Sequence, residues 1–241
     1  MGATSYIGTS GWQYETWKGT FYPKEITKQE MLASYSKQFR AVEVNNSFYR
    51  LPKVETLERW RDTVRPGFLF AVKASRYITH MKKLKNTQDS VNRFIDRIDI
   101  LNGRLAPLLF QLPPNWHCNP ERLADFLNIL PHGYRYVFEF RDKSWFNDRI
   151  YRLLEEAGAA FCIYDLAGCQ SPKRLTAEFV YVRLHGPGAA YQGSYQTEKL
   201  CGWAGALSSW TQQGKDVFCF FDNDQKGYAA ENALQLNKML S

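Results

Sequence analysis

Eight short apolar segments recur along the chain, and most of them end in a charged or amide residue. Several are apolar nearly throughout, which is typical of parallel strands that are covered by helices on one side and by packed side chains on the other. This repetition predicts an α/β fold, a TIM-like (β/α)8 barrel with eight parallel strands. The predicted strands span residues 6–10, 41–45, 69–75, 107–112, 136–141, 160–165, 179–185 and 216–223.

Helical sequence fills most of the intervals between these strands. Apolar residues recur at spacings of three and four in residues 31–39, 91–101, 123–130, 150–157, 200–210 and 228–240. The interval after the sixth strand, residues 166–178, holds only 13 residues and includes Gly168 and Pro172. We therefore predict that the helix after strand 6 is short or missing. Because the alternation never restarts, we expect a single domain over residues 1–241.

Polar side chains cluster at the predicted strand ends. Barrel enzymes draw their active sites from the carboxyl ends of several strands, and alternate strand residues share a face. The candidate catalytic residues are Glu43, Lys73, Glu139 and His185. The candidate ligand-binding residues are Asn45, Arg141, Asp165, Arg183, Tyr191, Tyr195 and Asn223. A purely structural network of ion pairs that closes the barrel end is the alternative interpretation of these charges.

Three chemistries are open at such a site. Glu43 and Glu139 can act as a pair, one as the general acid and the other as the general base. Lys73, if it is desolvated near Arg141, can act as a base or as a Schiff-base nucleophile. A metal is the weakest case, because none of the four histidines has a neighbour at ligand spacing. We assign no metal ligand, and the cofactor stays unknown.

Aromatic residues accompany the polar strand ends. Residues 12–22 alone hold five aromatic side chains. We expect most of these rings to pack against one another as a roof over the barrel end. Tyr191 and Tyr195 are better candidates for ligand contact, because Gly188 and Gly193 mark their loop as mobile.

The charge balance favours anionic partners. The 31 basic and 24 acidic residues give a net charge of +7, and a basic cluster at residues 73–85 follows the third strand. A small anionic ligand is the first expectation and nucleic acid the alternative, while solubility alone explains the charge equally well. No apolar run approaches the roughly 18 residues of a membrane span, so no membrane partner is expected. Five cysteines without a CxxC pair favour a reduced, cytoplasmic location.

Six motifs together resemble a known family, the YecE-like proteins, catalogued as domain of unknown function 72. The motifs lie at residues 7–12, 17–23, 42–52, 138–146, 181–186 and 221–233, in the family's order and over nearly the whole chain. The resemblance implies a TIM-barrel-like fold and no established activity. Residues 221–224 read Phe-Asp-Asn-Asp where the family often has Phe-Asn-Asn-Asp. The resemblance therefore extends to Asn223 and Asp224 but not to Asp222.

Three functions are compatible with these observations. The first is an enzyme that acts on an anionic, phosphorylated or sugar-containing ligand at the mouth of the barrel. The second is a barrel that binds or processes nucleic acid, by analogy of fold with endonucleases. The third is a non-catalytic ligand-binding protein. The sequence does not decide whether the protein is an enzyme.

Overall fold

Eight parallel strands form a nearly closed barrel in the computed structural model, which describes residues 2–240. The strands are β1 (Ser5–Thr9), β2 (Ala41–Val44), β3 (Leu69–Lys73), β4 (Leu105–Gln111), β5 (Tyr136–Glu139), β6 (Ala160–Leu166), β8 (Phe179–Leu184) and β9 (Asp216–Phe221). Their order around the barrel is β1-β9-β8-β6-β5-β4-β3-β2. The predicted TIM-like barrel is confirmed, with strand bounds that shift by at most two residues.

Seven α-helices alternate with these strands in the described part of the chain. They are α1 (Lys28–Gln38), α2 (Val54–Thr63), α3 (Gln88–Ile98), α4 (Pro120–Asn128), α5 (Asp148–Glu156), α6 (Thr197–Gln212) and α7 (Tyr228–Met239). Six of them match predicted stripes. The sequence pattern did not indicate α2, because its buried face consists of only Leu57 and Trp60. Within residues 2–240, no helix is both long enough and apolar enough to cross a membrane.

The connection between β6 and β8 contains no helix, as predicted, and all of its residues lie in the described part of the chain. A two-residue strand, β7 (Cys169–Gln170), instead folds back antiparallel onto the end of β6. Ser171 then accepts a hydrogen bond from the Tyr164 amide on its hydroxyl, at 2.8 Å. The Thr176 hydroxyl likewise accepts a hydrogen bond from the Phe161 amide, also at 2.8 Å. This segment therefore runs along β6, to which it is hydrogen-bonded, and takes the place of a helix.

The barrel closes between β1 and β2 through a few specific contacts. A single backbone bridge joins Ser10 to Glu43. The hydroxyl of Tyr35 lies between the strands, where it accepts from the Thr9 amide at 2.9 Å and donates to the Ala41 carbonyl at 3.2 Å. Gly8 is required for this approach, because a Cβ added to it would lie 2.1 Å from the Ala41 carbonyl oxygen.

The interior of the barrel changes character along its axis. Its lower and middle layers are apolar and fully or nearly fully buried, with Ala41, Ala71, Leu109, Val137, Cys162, Tyr181, Phe218 and Phe220 among the inward side chains. The next inward position along five strands is charged: Glu43, Lys73, Glu139, Arg183 and Asp222. Strand alternation thus places the charges directly above the apolar core, at the carboxyl ends of the strands.

Aromatic side chains of the segment between β1 and α1 pack against one another, as the sequence predicts; that they cover the barrel end stays a prediction. Trp12, Trp17 and Tyr22 are buried, and Trp17 packs against the rings of Phe21 and Tyr22 with centroids 5.3 and 5.8 Å apart. These rings are therefore held in place largely by one another.

We expect Gly8→Ala to destabilise the protein by about 3 kcal/mol, since the new methyl group must push β1 away from β2. Chemical denaturation monitored by tryptophan fluorescence measures this loss. The control is Gly202→Ala, at an exposed position inside α6 with open space around it, which should instead stabilise by about 0.5–1 kcal/mol. Unchanged stability of Gly8→Ala would show that the seam between β1 and β2 is looser than described.

Candidate functional site

A buried arginine organises the mouth of the barrel. The Arg183 side chain on β8 is 1% exposed and donates to three carboxylates. Its Nη2 lies 2.6 Å from Glu43 Oε1 on β2 and 3.1 Å from Asp222 Oδ2 after β9. Its Nη1 lies 2.8 Å from Glu139 Oε2 on β5. The strand-end charges that the sequence predicts as a site are therefore brought into direct contact.

Glu43 accepts hydrogen bonds on both of its carboxylate oxygens. Oε1 also accepts from the Ser10 hydroxyl at 2.7 Å, and Oε2 accepts from the Tyr181 hydroxyl at 2.7 Å. Burial, reinforced by the Glu43 charge, raises the pKa of Tyr181 well above its ordinary value, so this hydroxyl stays a donor. Glu43 is thus fixed by three donors, one at the end of β1 and two on β8, and its carboxylate has little capacity left for another partner.

Glu139 is a buried carboxylate that stays ionised. Burial alone would raise its pKa, but the guanidinium groups of Arg141 and Arg183 hold that pKa well below the usual range. The Nε of Arg141 contacts Glu139 Oε1, and the Arg141 guanidinium lies over the ring of Tyr164, 5.3 Å from its centroid. Ring and carboxylate together fix the Arg141 plane at the mouth.

His185 is held between an acid and an arginine. Its Nδ1 lies 3.0 Å from Asp222 Oδ2, and its Nε2 lies 3.0 Å from Arg141 Nη2. Its Nε2 also lies 3.4 Å from Glu139 Oε1 and 3.4 Å from Arg183 Nη1. The His185 ring is therefore in contact with two carboxylates and two guanidinium groups.

Lys73 differs from the other cations of the mouth. Among the described residues, its ammonium has no carboxylate oxygen within 4.0 Å, and it rests 4.3 Å from the centroid of the Phe48 ring. Burial and the nearby Arg183 charge lower the pKa of Lys73 to about 8. The protein thus keeps a partly desolvated amine at the end of β3 without giving it a counter-ion.

The β3 side of the mouth carries an excess of positive charge. Burial and the charges of Lys73, Arg76 and Arg141 lower the pKa of His80 to about 4, so this ring is neutral at physiological pH. Its Nδ1 shares a hydrogen bond with the Thr79 hydroxyl at 2.9 Å. His80 lies in a single π-helical turn (Tyr77–Met81), followed by positive φ angles at three non-glycine residues, 83, 84 and 86. Such backbone strain often occurs at functional sites.

The opposite side of the mouth, next to β9 and β1, is acidic. Burial and the nearby Asp222 charge raise the pKa of Asp224 to about 6. Its Oδ1 accepts a hydrogen bond of 2.5 Å from Trp17 Nε1. Burial and the nearby carboxylates also raise the pKa of Tyr14, whose hydroxyl donates to the Ser10 carbonyl at 2.5 Å. The mouth is therefore electrostatically polarised from one side to the other.

Two of the predicted ligand-binding residues, Asp165 and Asn223, point away from this mouth. Asp165 follows the inward Tyr164 and accepts from Gln170 Nε2 at 3.3 Å. The Asn223 side chain donates to the Gly193 carbonyl at 2.8 Å and to Asn232 Oδ1 at 3.0 Å. The Asp165 contact ties β7 to β6, and the Asn223 contacts hold the segment after β8 in place. A ligand contact by either residue stays a prediction.

The loop after β8 places its two candidate tyrosines differently. Tyr195 is 2% exposed, and its hydroxyl accepts from the Gly186 amide at 3.0 Å, which ties the two ends of the loop together. Tyr191 is 47% exposed and lies edge-on to the His185 ring, with centroids 5.4 Å apart. Tyr191 therefore stands at the rim of the mouth, and Tyr195 supports it from below.

Asn45 lies beside the charged cluster, after β2. It lines a cleft of about 240 Å³ together with Ser10, Trp12 and Tyr14. Its buried Oδ1 has no hydrogen-bond partner among the described residues. An unsatisfied buried acceptor at the edge of a cleft is suited to a donor from a ligand.

Sequence reasoning missed several members of the site. Ser10, Tyr181 and Tyr164 occupy inward positions, and Asp222 contacts both Arg183 and His185 although the family resemblance did not extend to it. Strand parity alone would have found the first three. The pairing of Asp222 requires the three-dimensional structure, because its partners lie 37 and 39 residues away in the chain.

Comparison with known proteins gives the family. A protein-family model described as "Protein of unknown function DUF72" matches residues 6–241. The chain belongs to the DUF72 family. The UPF0759 protein YunF of Bacillus subtilis is 29% identical over 98% of this chain and 94% of its own length. The UPF0759 protein YecE of Escherichia coli is 32% identical over 58% of this chain and 50% of its own length.

Solved structures agree with this assignment. A DUF72 family protein from Thermotoga maritima is 30% identical, covers 98% of this chain and 99% of its own, and superposes with a TM-score of 0.89. A DUF72 family protein from Enterococcus faecalis is 20% identical and covers 98% of this chain and 95% of its own. Its TM-score of 0.84 shows the shared fold alone. The family resemblance read from the motifs is confirmed. In residues 2–240, no group of three His, Cys, Asp or Glu side chains could hold a metal ion.

Opposite effects on stability are expected for the two buried cations of this DUF72 barrel. Arg183→Met should reduce the free energy of unfolding by about 3–5 kcal/mol, because it leaves buried carboxylates without their cation. Lys73→Met should increase it at pH 7 by on the order of 1–3 kcal/mol, because it removes a charge that the fold disfavours. Urea denaturation compares both with Lys85→Met, an exposed lysine whose replacement should change stability by less than about 0.5 kcal/mol.

The pH dependence of the Lys73 effect provides an internal control. The pKa of Lys73 is lowered from 10.5 to about 8 in the folded state, so the unfolded chain binds the extra proton between these pH values. Because of Lys73, the free energy of unfolding of the wild type therefore rises with pH from about 8 upward, and the Lys73→Met variant lacks that rise. The advantage of Lys73→Met should be largest below pH 8 and disappear near pH 10.5. A constant difference would mean that packing, and not charge, is responsible.

Proposed function

We propose that this DUF72 barrel is an enzyme that binds a small anionic ligand, phosphorylated or sugar-containing, at the carboxyl end of its strands. The observation that carries the proposal is the unpaired ammonium of Lys73, which lies in a region of excess positive charge. A buried cation without a counter-ion is costly, and an incoming anion removes that cost. The five free thiols support action in a reducing compartment such as the cytoplasm.

The distribution of partners indicates where the anion binds. Arg183 already contacts three carboxylates through its two Nη atoms, and its Nε, which has no partner among the described residues, is buried away from the mouth opening. Arg141 contacts one carboxylate and directs its Nη2 at His185, and Lys73 contacts none. An anion between Lys73 and Arg141 would receive charge-assisted hydrogen bonds from both.

The remainder of the ligand would face the acidic side and the rim. Asp222 and Asp224 supply acceptors for hydroxyl or amino groups, and the half-exposed ring of Tyr191 offers a surface for stacking. A sugar or a similar polyol that carries an anionic group matches this combination of features. Glu43 and Glu139, which the sequence suggests as an acid–base pair, would act here mainly by holding Arg183 and Arg141 in position.

Anion binding is measured by isothermal titration with inorganic phosphate and with glucose 6-phosphate as probes. We expect saturable binding to the wild type and a roughly ten- to hundredfold weaker affinity in Lys73→Met, the loss of one or two charged hydrogen bonds. Lys85→Met should bind like the wild type, since Lys85 is exposed. Failure of the wild type to bind either probe, or equal binding by Lys73→Met, would contradict the proposal.

Nucleic acid is a second candidate because of exposed aromatic residues near the basic loop. Tyr49 is 74% exposed and Tyr77 is 42% exposed, and Lys82 Nζ lies 5.6 Å from the Tyr77 ring centroid. Bases stack on such rings in single-strand binding proteins. The same titration with a single-stranded oligonucleotide separates the two candidate functions. An affinity that falls steeply with salt and depends on Tyr49 favours nucleic-acid binding. Absence of binding near 50 mM salt rules out nucleic-acid binding.

A further inference from the structure

We propose that Lys73 is a nucleophilic amine that forms an imine with a carbonyl group of the bound anion. The substrate class is then a small aldehyde or ketone that carries a phosphate or carboxylate, for example an open-chain sugar phosphate. This inference rests on the anion-binding function proposed above and goes further, because it assigns a covalent step to one atom, Lys73 Nζ.

The position of the amine is suited to this role. Lys73 ends β3, and its side chain points into the barrel above Ala71, so its backbone is fixed by a strand. Among residues 2–240 no carboxylate lies within 4.0 Å of Nζ, which leaves the nitrogen free of the ion pair that would block its lone pair. The Phe48 ring, 4.3 Å away at its centroid, excludes water from one side.

The chemical identity of the residue also favours a reaction over simple binding. The other inward cations, Arg141 and Arg183, are guanidiniums that do not lose a proton in proteins and that bind anions with two parallel hydrogen bonds. An arginine at residue 73 would hold an anion at least as well. Lysine is the cation that can become a neutral nucleophile, and here it stands in the place where no acid pairs with it.

The electrostatics make the neutral amine available. The pKa of Lys73 is about 8. At pH 7 the unprotonated fraction of its amine is therefore on the order of a hundredfold larger than that of an ordinary lysine. Burial and Arg183 cause this shift, and the ion pairs of Arg183 with Glu43 and Glu139 keep Arg183 in place. The buried network thereby sets the reactivity of the amine.

The step balances without an additional reagent. The Lys73 nitrogen attacks the carbonyl carbon, and the first adduct carries the former carbonyl oxygen as a hydroxyl group. That oxygen then leaves as water with two protons, both derived from the amine, while the carbon–nitrogen double bond forms. The anionic group of the ligand stays at Arg141. No electrons are gained or lost.

The test uses pyridoxal 5′-phosphate as the probe, a small aldehyde that carries a phosphate, followed by borohydride reduction and peptide mapping by mass spectrometry. On the wild-type protein at pH 7 we expect one preferred adduct, at Lys73, formed at least about tenfold faster than adducts at the exposed Lys82 and Lys85. Inorganic phosphate should slow the reaction, and Lys73→Arg should lose this adduct while the exposed lysines react as before.

Separate outcomes distinguish the inference from the function on which it rests. Pyridoxine 5′-phosphate has the same phosphate but no aldehyde, and its binding to the wild type is measured by titration. If it binds while Lys73 reacts no faster than Lys82 and Lys85, the imine is wrong and anion binding stands. If it does not bind and Lys73 does not react, both are wrong. Fast reaction of Lys73 that phosphate does not slow would support the amine and contradict the anionic substrate.

Discussion

The three ion pairs of Arg183 are the interaction on which the rest of the mouth depends. A fully buried guanidinium is tolerated only where carboxylates surround it, and β2, β5 and the end of β9 each supply one. Glu43 also forms the bridge between β1 and β2, where its carboxylate accepts from Ser10 at 2.7 Å. Closure of the barrel and assembly of the charged cluster therefore share one residue.

This arrangement leaves an uneven distribution of charge. The carboxylates lie around Arg183, and Arg141 is joined to Glu139 and His185. Among residues 2–240, no carboxylate oxygen lies within 4.0 Å of Lys73 Nζ, which shares its side of the mouth with Arg76 and His80. The lowered pKa of Lys73 and the raised pKa of Asp224 are two results of the same polarised burial. A fold selected only for stability would not keep an unpaired buried amine, whereas active sites commonly sacrifice stability in this way.

Much of the fold was predictable because parallel strands buried on both faces produce apolar runs that stand out. The missing helix after β6 followed from the short interval and from its Gly168 and Pro172. Strand parity then brought Glu43, Glu139 and Arg183 to one interior face. Parity also explains why Asp165 and Asn223 point elsewhere: each is adjacent to the inward residue of its strand end, Tyr164 or Asp222.

The pairing inside the site was not predictable. Arg183 contacts Glu43 across 140 residues of chain, and no local pattern states which acid meets which base. The small α2 face, with Leu57 and Trp60, likewise gave too few apolar positions to define a stripe. Whether a strand-end lysine is paired, and hence whether it is reactive, depends on distances of a few ångströms that only the folded chain defines.

The central claim is that the Arg183 network leaves Lys73 as an unpaired and partly desolvated amine. The most direct measurement is an NMR titration of the Lys73 side chain in the folded wild-type protein, with the resonance assigned by comparison with Lys73→Arg. We predict a pKa of about 8 for Lys73, rising toward its ordinary value when phosphate is added. A pKa near 10.5 in the absence of any anion would contradict the claim.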